Sequence, residues 1–549
     1  MERRSIDSYG KTPRETRNLL RCLLAAFLLV GVSVVSNAWG QSEVTLEPSD
    51  LEDGRSLATL YCAACHQMPE PDLLTKQSWE YLLTYMGFYL GIVDYQFMEG
   101  SSERAMESIR AREEFTRTAG MIPDSPILTD AQWASLRSYY LSIAPEEALS
   151  QSPKPAARLD EERFQAKPTQ FRSNGAILSM VHIDEENGFV LAHDSGANQR
   201  LTLLDRKLNF FDQHDAPGVS LVDAETRGDD VYLLSIGDLF ASNIGVSRGE
   251  LQYAKSLGGV YIGLKVLVDG LHRPADFELA DLDRDGVDEL LVSNFGEYTG
   301  NFSIYKRYRN DRPFDDEPTV LSEEAGIVKS ATHDFNGDGL LDIAVLMSNA
   351  RENVSLFMAR PDGTFERRIV IEQGPSFGYT GLMLRDFNED GRMDILTLNG
   401  DNGDSDPYNT LKRDHGVRIY SHRGELNFEE AFFYPMYGVF GGKVEDFDLD
   451  GDLDIAAIAY HPDFDAAEPE TFVLLEQTGD LEFEAKTHAA TFGNRWMSID
   501  AGDLDGDGDK DLVLGAANLP VGLMDRHQAM YEKMIQSDEP LLFLENQTK

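Results

Sequence analysis

The sequence predicts a multidomain protein, with a small all-α domain near the N-terminus followed by an all-β wheel of seven four-stranded blades. Three observations predict it. A nine-residue acidic loop with glycine at position six occurs five times, and each copy runs straight into an apolar strand-like segment. The copies are spaced by about 52 to 60 residues, the length of one four-stranded blade with its connections. Helical periodicity is confined to a stretch of roughly one hundred residues ahead of them. At 549 residues, 42% of them apolar, core formation is not limiting and one core would not suffice. The net charge of -46 argues against a nucleic-acid partner, because phosphate contacts need clustered Lys and Arg.

Taken in order, residues 1–40 read as a secretory signal. A basic segment with Arg3, Arg4, Lys11, Arg14, Arg17 and Arg21 gives way to an apolar run from Cys22 to Val35. That run, about 14 residues, is short for a membrane span, and Ala38 and Gly40 offer a cleavage point before Gln41. An uncleaved anchor is the alternative, and the one route by which the chain would associate with a membrane. With cleavage two cysteines remain, both in Cys62-Ala63-Ala64-Cys65-His66. Two thiols that can add to vinyl groups, with an imidazole adjacent, make this a covalent haem c attachment motif, with one haem per chain. A disulfide or a zinc half-site would leave His66 unexplained and would need a second ligand pair, and the mature chain has no further cysteine.

Gly54 to Tyr61 places Leu57, Leu60 and Tyr61 on one helical face and leads into Cys62. Thr129-Asp130-Ala131-Gln132 is a capping box opening a closing helix with Trp133, Leu136, Tyr139 and Tyr140, ended by Pro145. Gly54–His66 and Leu128–Tyr140 resemble the first and last helices of a class I cytochrome c domain, here residues 45–148. The resemblance implies Cys62 and Cys65 as thioether anchors, His66 as one axial ligand and a methionine thioether opposite it. Two methionines stay open. Met86 lies in a Met-Gly run that propeller-fused cytochromes resembling this chain carry, and Met121 precedes the closing helix, where class I cytochromes place their ligand.

Residues 149–162 carry charge and prolines and read as a linker; the wheel is expected over 163–549. The five loops start at Asp281, Asp334, Asp386, Asp446 and Asp503, and oxygens at positions 1, 3, 5 and 9 converge on one point. The candidate ligands are Asp281, Asp283, Asp285 and Glu289; Asp334, Asn336, Asp338 and Asp342; Asp386, Asn388, Asp390 and Asp394; Asp446, Asp448, Asp450 and Asp454; and Asp503, Asp505, Asp507 and Asp511. Asp and Gly favour turns without any ion. Five copies in register point instead to about five calcium ions acting as structural pins, with catalysis at them not expected. Weaker copies at Asp184 and Asp223 complete seven units. The last unit lacks its fourth strand, and Arg163-Phe164-Gln165-Ala166 is expected to close the ring against it. This arrangement resembles the FG-GAP/VCBS repeat family, the integrin-α-like propellers.

His193, His333 and His461 could face the central funnel, although an isolated histidine is more often structural. Insertions Asn399–Arg418 and Asn518–Asp538, the second helical over Val521–Ile535, are expected on one face as binding positions. The combined reading is an exported c-type cytochrome, periplasmic, secreted or at the cell surface. In this reading it transfers electrons to an unidentified redox partner protein while the propeller docks that partner. A haem-coupled dehydrogenase with its active site in the funnel, or a calcium-dependent binding or adhesion protein, are the alternatives.

Overall fold

Alternating apolar residues followed by an acidic loop form the same unit again and again in the computed structural model. It describes residues 48–98, 101–196, 198–239, 248–296, 299–309, 313–402, 408–521, 523 and 526–548. The expected signal segment lies outside the described residues. Among the described residues, no helix is long and apolar enough to cross a membrane.

Among the described residues four α-helices come first: α1 Pro48–Tyr61, α2 Lys76–Tyr89, α3 Glu103–Thr118 and α4 Asp130–Ile143. The first begins earlier than the Gly54 start read from periodicity, because Pro48 is tolerated in a first turn. The side chains of Thr75, Ser102 and Thr129 cap α2, α3 and α4. At Thr129 the full capping box forms, with Gln132 returning to the Thr129 N–H at 3.0 Å. Helices α1 and α4 cross where Gly54 meets Ser135 and Tyr139, so close that a Cβ on Gly54 would lie 2.6 Å from each. Only glycine fits that crossing.

Seven antiparallel blades follow, each with its first strand innermost: 178–215, 221–271, 274–322, 327–373, 379–435, 439–487 and 496–546. The chain is therefore a seven-bladed β-propeller. The last blade has three strands of its own and takes its fourth from Phe164–Lys167, paired antiparallel with Leu541–Asn546. The ring thus closes as expected. Within the stretch read as a linker, Arg158–Leu159 pairs in parallel with Glu482–Thr487 of blade 6, adding a fifth strand there. Upstream of it, Gln151 donates to His415 O at 2.6 Å and Lys154 pairs with Glu470 at 2.6 Å.

The core lies between blades. Bulky residues at loop position two, Phe335, Phe387, Phe447 and Leu504, are each at most 7% exposed and fill the seams between neighbouring sheets. Each such side chain contributes about 1.5–3 kcal/mol by burial. Two expectations need correction. Asp223 lies inside the strand Leu221–Arg227 and not in a loop, because a tight turn through Gly228 replaces the acidic loop in blade 2. His193 and His461 do not face the funnel: both are buried, His193 bonded to Val219 O at 3.0 Å and His461 3.3 Å from Arg495.

Candidate functional site

The five loops share one geometry. The carboxylate at position one accepts the N–H of the position-six glycine in every copy, at 2.8–3.1 Å, as at Asp334 and Gly339 (2.8 Å). The position-five carboxylate accepts the N–H of position seven, at 2.8–3.3 Å. Each position-six glycine has φ between +81° and +104°, a region L side chains rarely adopt. These bonds curl the loop and leave the remaining carboxylate oxygens turned inward. Within single loops, oxygens of Asp281, Asp283 and Asp285, of Asp446, Asp448 and Asp454, and of Asp503, Asp505 and Asp507 come within 4.8 Å of one another.

Position nine plays a second part. Glu289, Asp342, Asp394, Asp454 and Asp511 are at most 2% exposed and begin the second strand of their blades. Each accepts the N–H of loop position two, as Asp342 does from Phe335 at 3.1 Å. The four aspartates also accept an N–H from the third strand, at 2.8–2.9 Å. Burial pushes Asp454 and Asp511 up to about 7, and nearby acidic groups add to the shift. The donor set fits a divalent cation: hard oxygens, an excess of negative charge, and buried carboxylate oxygens of Asp452 and Asp509 that no donor satisfies.

In the helical part, Cys62 ends α1, its N–H bonded to Ala58 O at 2.8 Å. Its thiol is half-buried against Leu74, Trp79, Leu136 and Tyr140, and burial pushes it up to about 11. Cys65 is exposed. His66 turns Nδ1 to Gln67 O at 2.7 Å, and burial lowers its proton affinity. With Nδ1 donating, Nε2 is left as the lone-pair nitrogen. Trp133, 6% exposed, has an indole N–H with no partner, and its ring lies against Gly87, the residue after Met86. Two thiols, a tautomer-fixed imidazole and an orphaned buried donor fit a covalently held porphyrin with a carboxylate edge.

Neither candidate methionine belongs to the cluster that holds Cys62. Met86 packs in a second cluster with Tyr81, Tyr85, Phe88 and Ile109, between α2 and α3, and Leu82 joins it to the first cluster. Met121 follows α3, its N–H bonded to Thr116 O at 2.9 Å. Met68, close in sequence to His66, packs against the same cluster as Cys62.

The insertions belong to blades 5 and 7, with blade 6 between them, and both leave the blade ends opposite the acidic loops, so they share a face as expected, although the helix of the second begins at Gln528 and not at Val521. The first receives the chain's own helices. Thr410 Oγ1 lies 2.6 Å from Ser78 Oγ in a buried contact, Arg413 pairs with Asp72 at 3.1 Å, and Tyr408 meets Tyr81 edge-on at 6.4 Å. Arg351 of blade 4 donates to the carbonyl of Cys65 at 3.2 Å. The second carries α5, Gln528–Gln536, whose Met534 packs with Phe464 and Leu523. No sequence signal marked Trp133 Nε1 or Arg351; Asp452 and Asp509 are visible in sequence, at position seven of their loops, outside the expected ligand positions.

Two stretches, 334–397 and 446–514, match the FG-GAP-like repeat, so the propeller carries FG-GAP repeats. Comparison with curated protein sequences returned no match. Solved structures similar to the chain include an ancestral GH74 enzyme, at 11% identity and TM-score 0.44, covering 69% of this chain and 51% of that one. The chain therefore spans about half the length of that enzyme. BBS1N in complex with ARL6DN is similar at 8% identity and TM-score 0.39, covering 70% and 96%. A luciferin-regenerating enzyme is similar at 9% identity and TM-score 0.33, covering 69% and 93%.

Proposed function

We propose that this chain is an exported electron carrier in which a c-type cytochrome domain, residues 45–148, is held on a calcium-braced propeller. Cys62 and Cys65 would anchor one haem and His66 would ligate its iron, with Met86 or Met121 opposite. A haem so held supplies a reversible one-electron couple, whose potential a thioether ligand raises. The single observation carrying this reading is the Cys62-Ala63-Ala64-Cys65-His66 run at the end of α1, with His66 Nδ1 bonded to Gln67 O at 2.7 Å. That bond fixes the ring orientation and keeps the other nitrogen basic, as an iron ligand requires. Trp133 would offer its unsatisfied N–H to a propionate, and the Gly54 crossing holds α1 against α4 beside Cys62.

The propeller's part is mechanical. Its blade 5 insertion and Arg351 grip the helices from one face, while calcium at the five loops would stiffen the other. The expected setting is the periplasm or cell surface, where haem attachment and calcium filling both occur, and the redox partner would be a protein. Expression in a haem-competent periplasm tests the reading. Oxidised and reduced visible spectra should interconvert reversibly with the bands of haem c, and Met86→Ala and Met121→Ala should separate the two thioether candidates by which one abolishes the weak far-red band. Colourless protein from that host would refute it.

A further inference from the structure

The five acidic loops are not equivalent. Position seven is Val287, Leu340 and Arg392 in blades 3 to 5, but Asp452 and Asp509 in blades 6 and 7. Counting positions 1, 3, 5, 7 and 9, the last two loops each carry five carboxylates; the loop at Asp281 carries four, and those at Asp334 and Asp386 carry three, with Asn336 and Asn388 at position three. The extra carboxylates do not point to water. Asp509 is 2% exposed, and neither of its oxygens has a hydrogen-bond donor; Asp452 Oδ1 is likewise buried without one.

Asp509 lies beside three carboxylates of its own loop, Asp503, Asp505 and Asp507. The nearest cations are engaged elsewhere. Lys510 Nζ binds Glu185 at 2.6 Å, and Arg206 donates to the Glu185 carbonyl at 3.3 Å. In blade 6, Arg163 lies 3.6 Å from Asp448 but closer, at 3.2 Å, to Glu476. A buried, undonated carboxylate among like charges is unfavourable in the folded chain unless a proton or a cation lies between them. Affinity for calcium in such loops rises with ligand charge.

We propose that Asp452 and Asp509 face the cation in their loops, making blades 6 and 7 the two tight calcium sites and leaving three weaker ones. This rests on the calcium reading given above. Equilibrium dialysis of the full EDTA-treated chain against calcium tests it. Wild type should bind two ions at least tenfold more tightly than the other three, and the double variant Asp452→Asn, Asp509→Asn should lose that tight class while still binding five. Melting gives a second readout with a change of sign. In EDTA the double variant should melt above wild type, because two buried like charges are gone; in saturating calcium it should melt below.

Five equivalent sites in wild type, or a tight pair that survives in the double variant, would overturn this assignment and leave the calcium reading standing. Absence of calcium binding to wild type would overturn both.

Discussion

Gly54 decides whether the helical part can close. A side chain there would overlap Ser135 O and Tyr139 Cβ, so α1 would have to move off α4. Overpacking of this kind costs about 1–3 kcal/mol. Gly54→Val is expected to lower the denaturation midpoint of the helical part by that amount and to reduce haem incorporation, measured as absorbance per polypeptide. Glu352 sets a pH dependence of its own. It is 2% exposed, accepts the N–H groups of Tyr379 and Asn349 at 2.9 Å each, and burial pushes it up to about 8. A carboxyl held above its unfolded range contributes stability that is fully present below that range and is lost as pH rises through the folded value. Urea midpoints at saturating calcium should therefore fall from the ordinary glutamate range up to about pH 8 in wild type. In Glu352→Gln that slope should be shallower. The role proposed for Cys62 rests on spacing alone, since that chemistry is local; Trp133 could not be singled out so, because an orphaned donor exists only once the fold has buried it.

At the scale of elements, the loop and the strand after it are one device. The position-nine carboxylate ties loop, second strand and third strand together, which is why each acidic loop runs straight into an apolar segment. This was readable because its parts lie within nine residues of one another. The seat for the helices was not. Ser78 and Thr410 are 332 residues apart, and neither stands out in sequence. The two contacts at that seat should differ in weight. The Asp72–Arg413 pair is partly exposed, with side chains 42% and 37% accessible, so Arg413→Ala should cost less than about 1 kcal/mol. The buried Ser78–Thr410 contact should matter more, with Thr410→Val costing about 1–3 kcal/mol. Limited proteolysis between Ala144 and Ala157, which joins helices to wheel, should rank the two variants in that order. The insertion on blade 5 looked like a partner site because insertions on one propeller face often are; here its occupant is in the same chain.

For the whole molecule, closure is what makes seven blades one unit. Phe164 carries the closing strand, is 2% exposed, and packs edge-on to Phe447 at 5.9 Å. Asp500 adds a second latch, accepting the Ile183 N–H at 2.8 Å across the seam between blades 7 and 1. Phe164→Ala should cost about 3–5 kcal/mol and broaden the propeller's thermal transition, since an opened ring frays from its ends. The two faces of the wheel then divide the work, with acidic loops on one and the helices on the other. The proposed redox centre lies in the helices, at two thiols and an imidazole. The intact mass of the mature chain from a haem-competent periplasm tests this most directly. The expected result is the polypeptide mass plus one haem, resistant to acid-acetone extraction and lost in the double variant Cys62→Ala, Cys65→Ala. A mature chain at its bare polypeptide mass would contradict it.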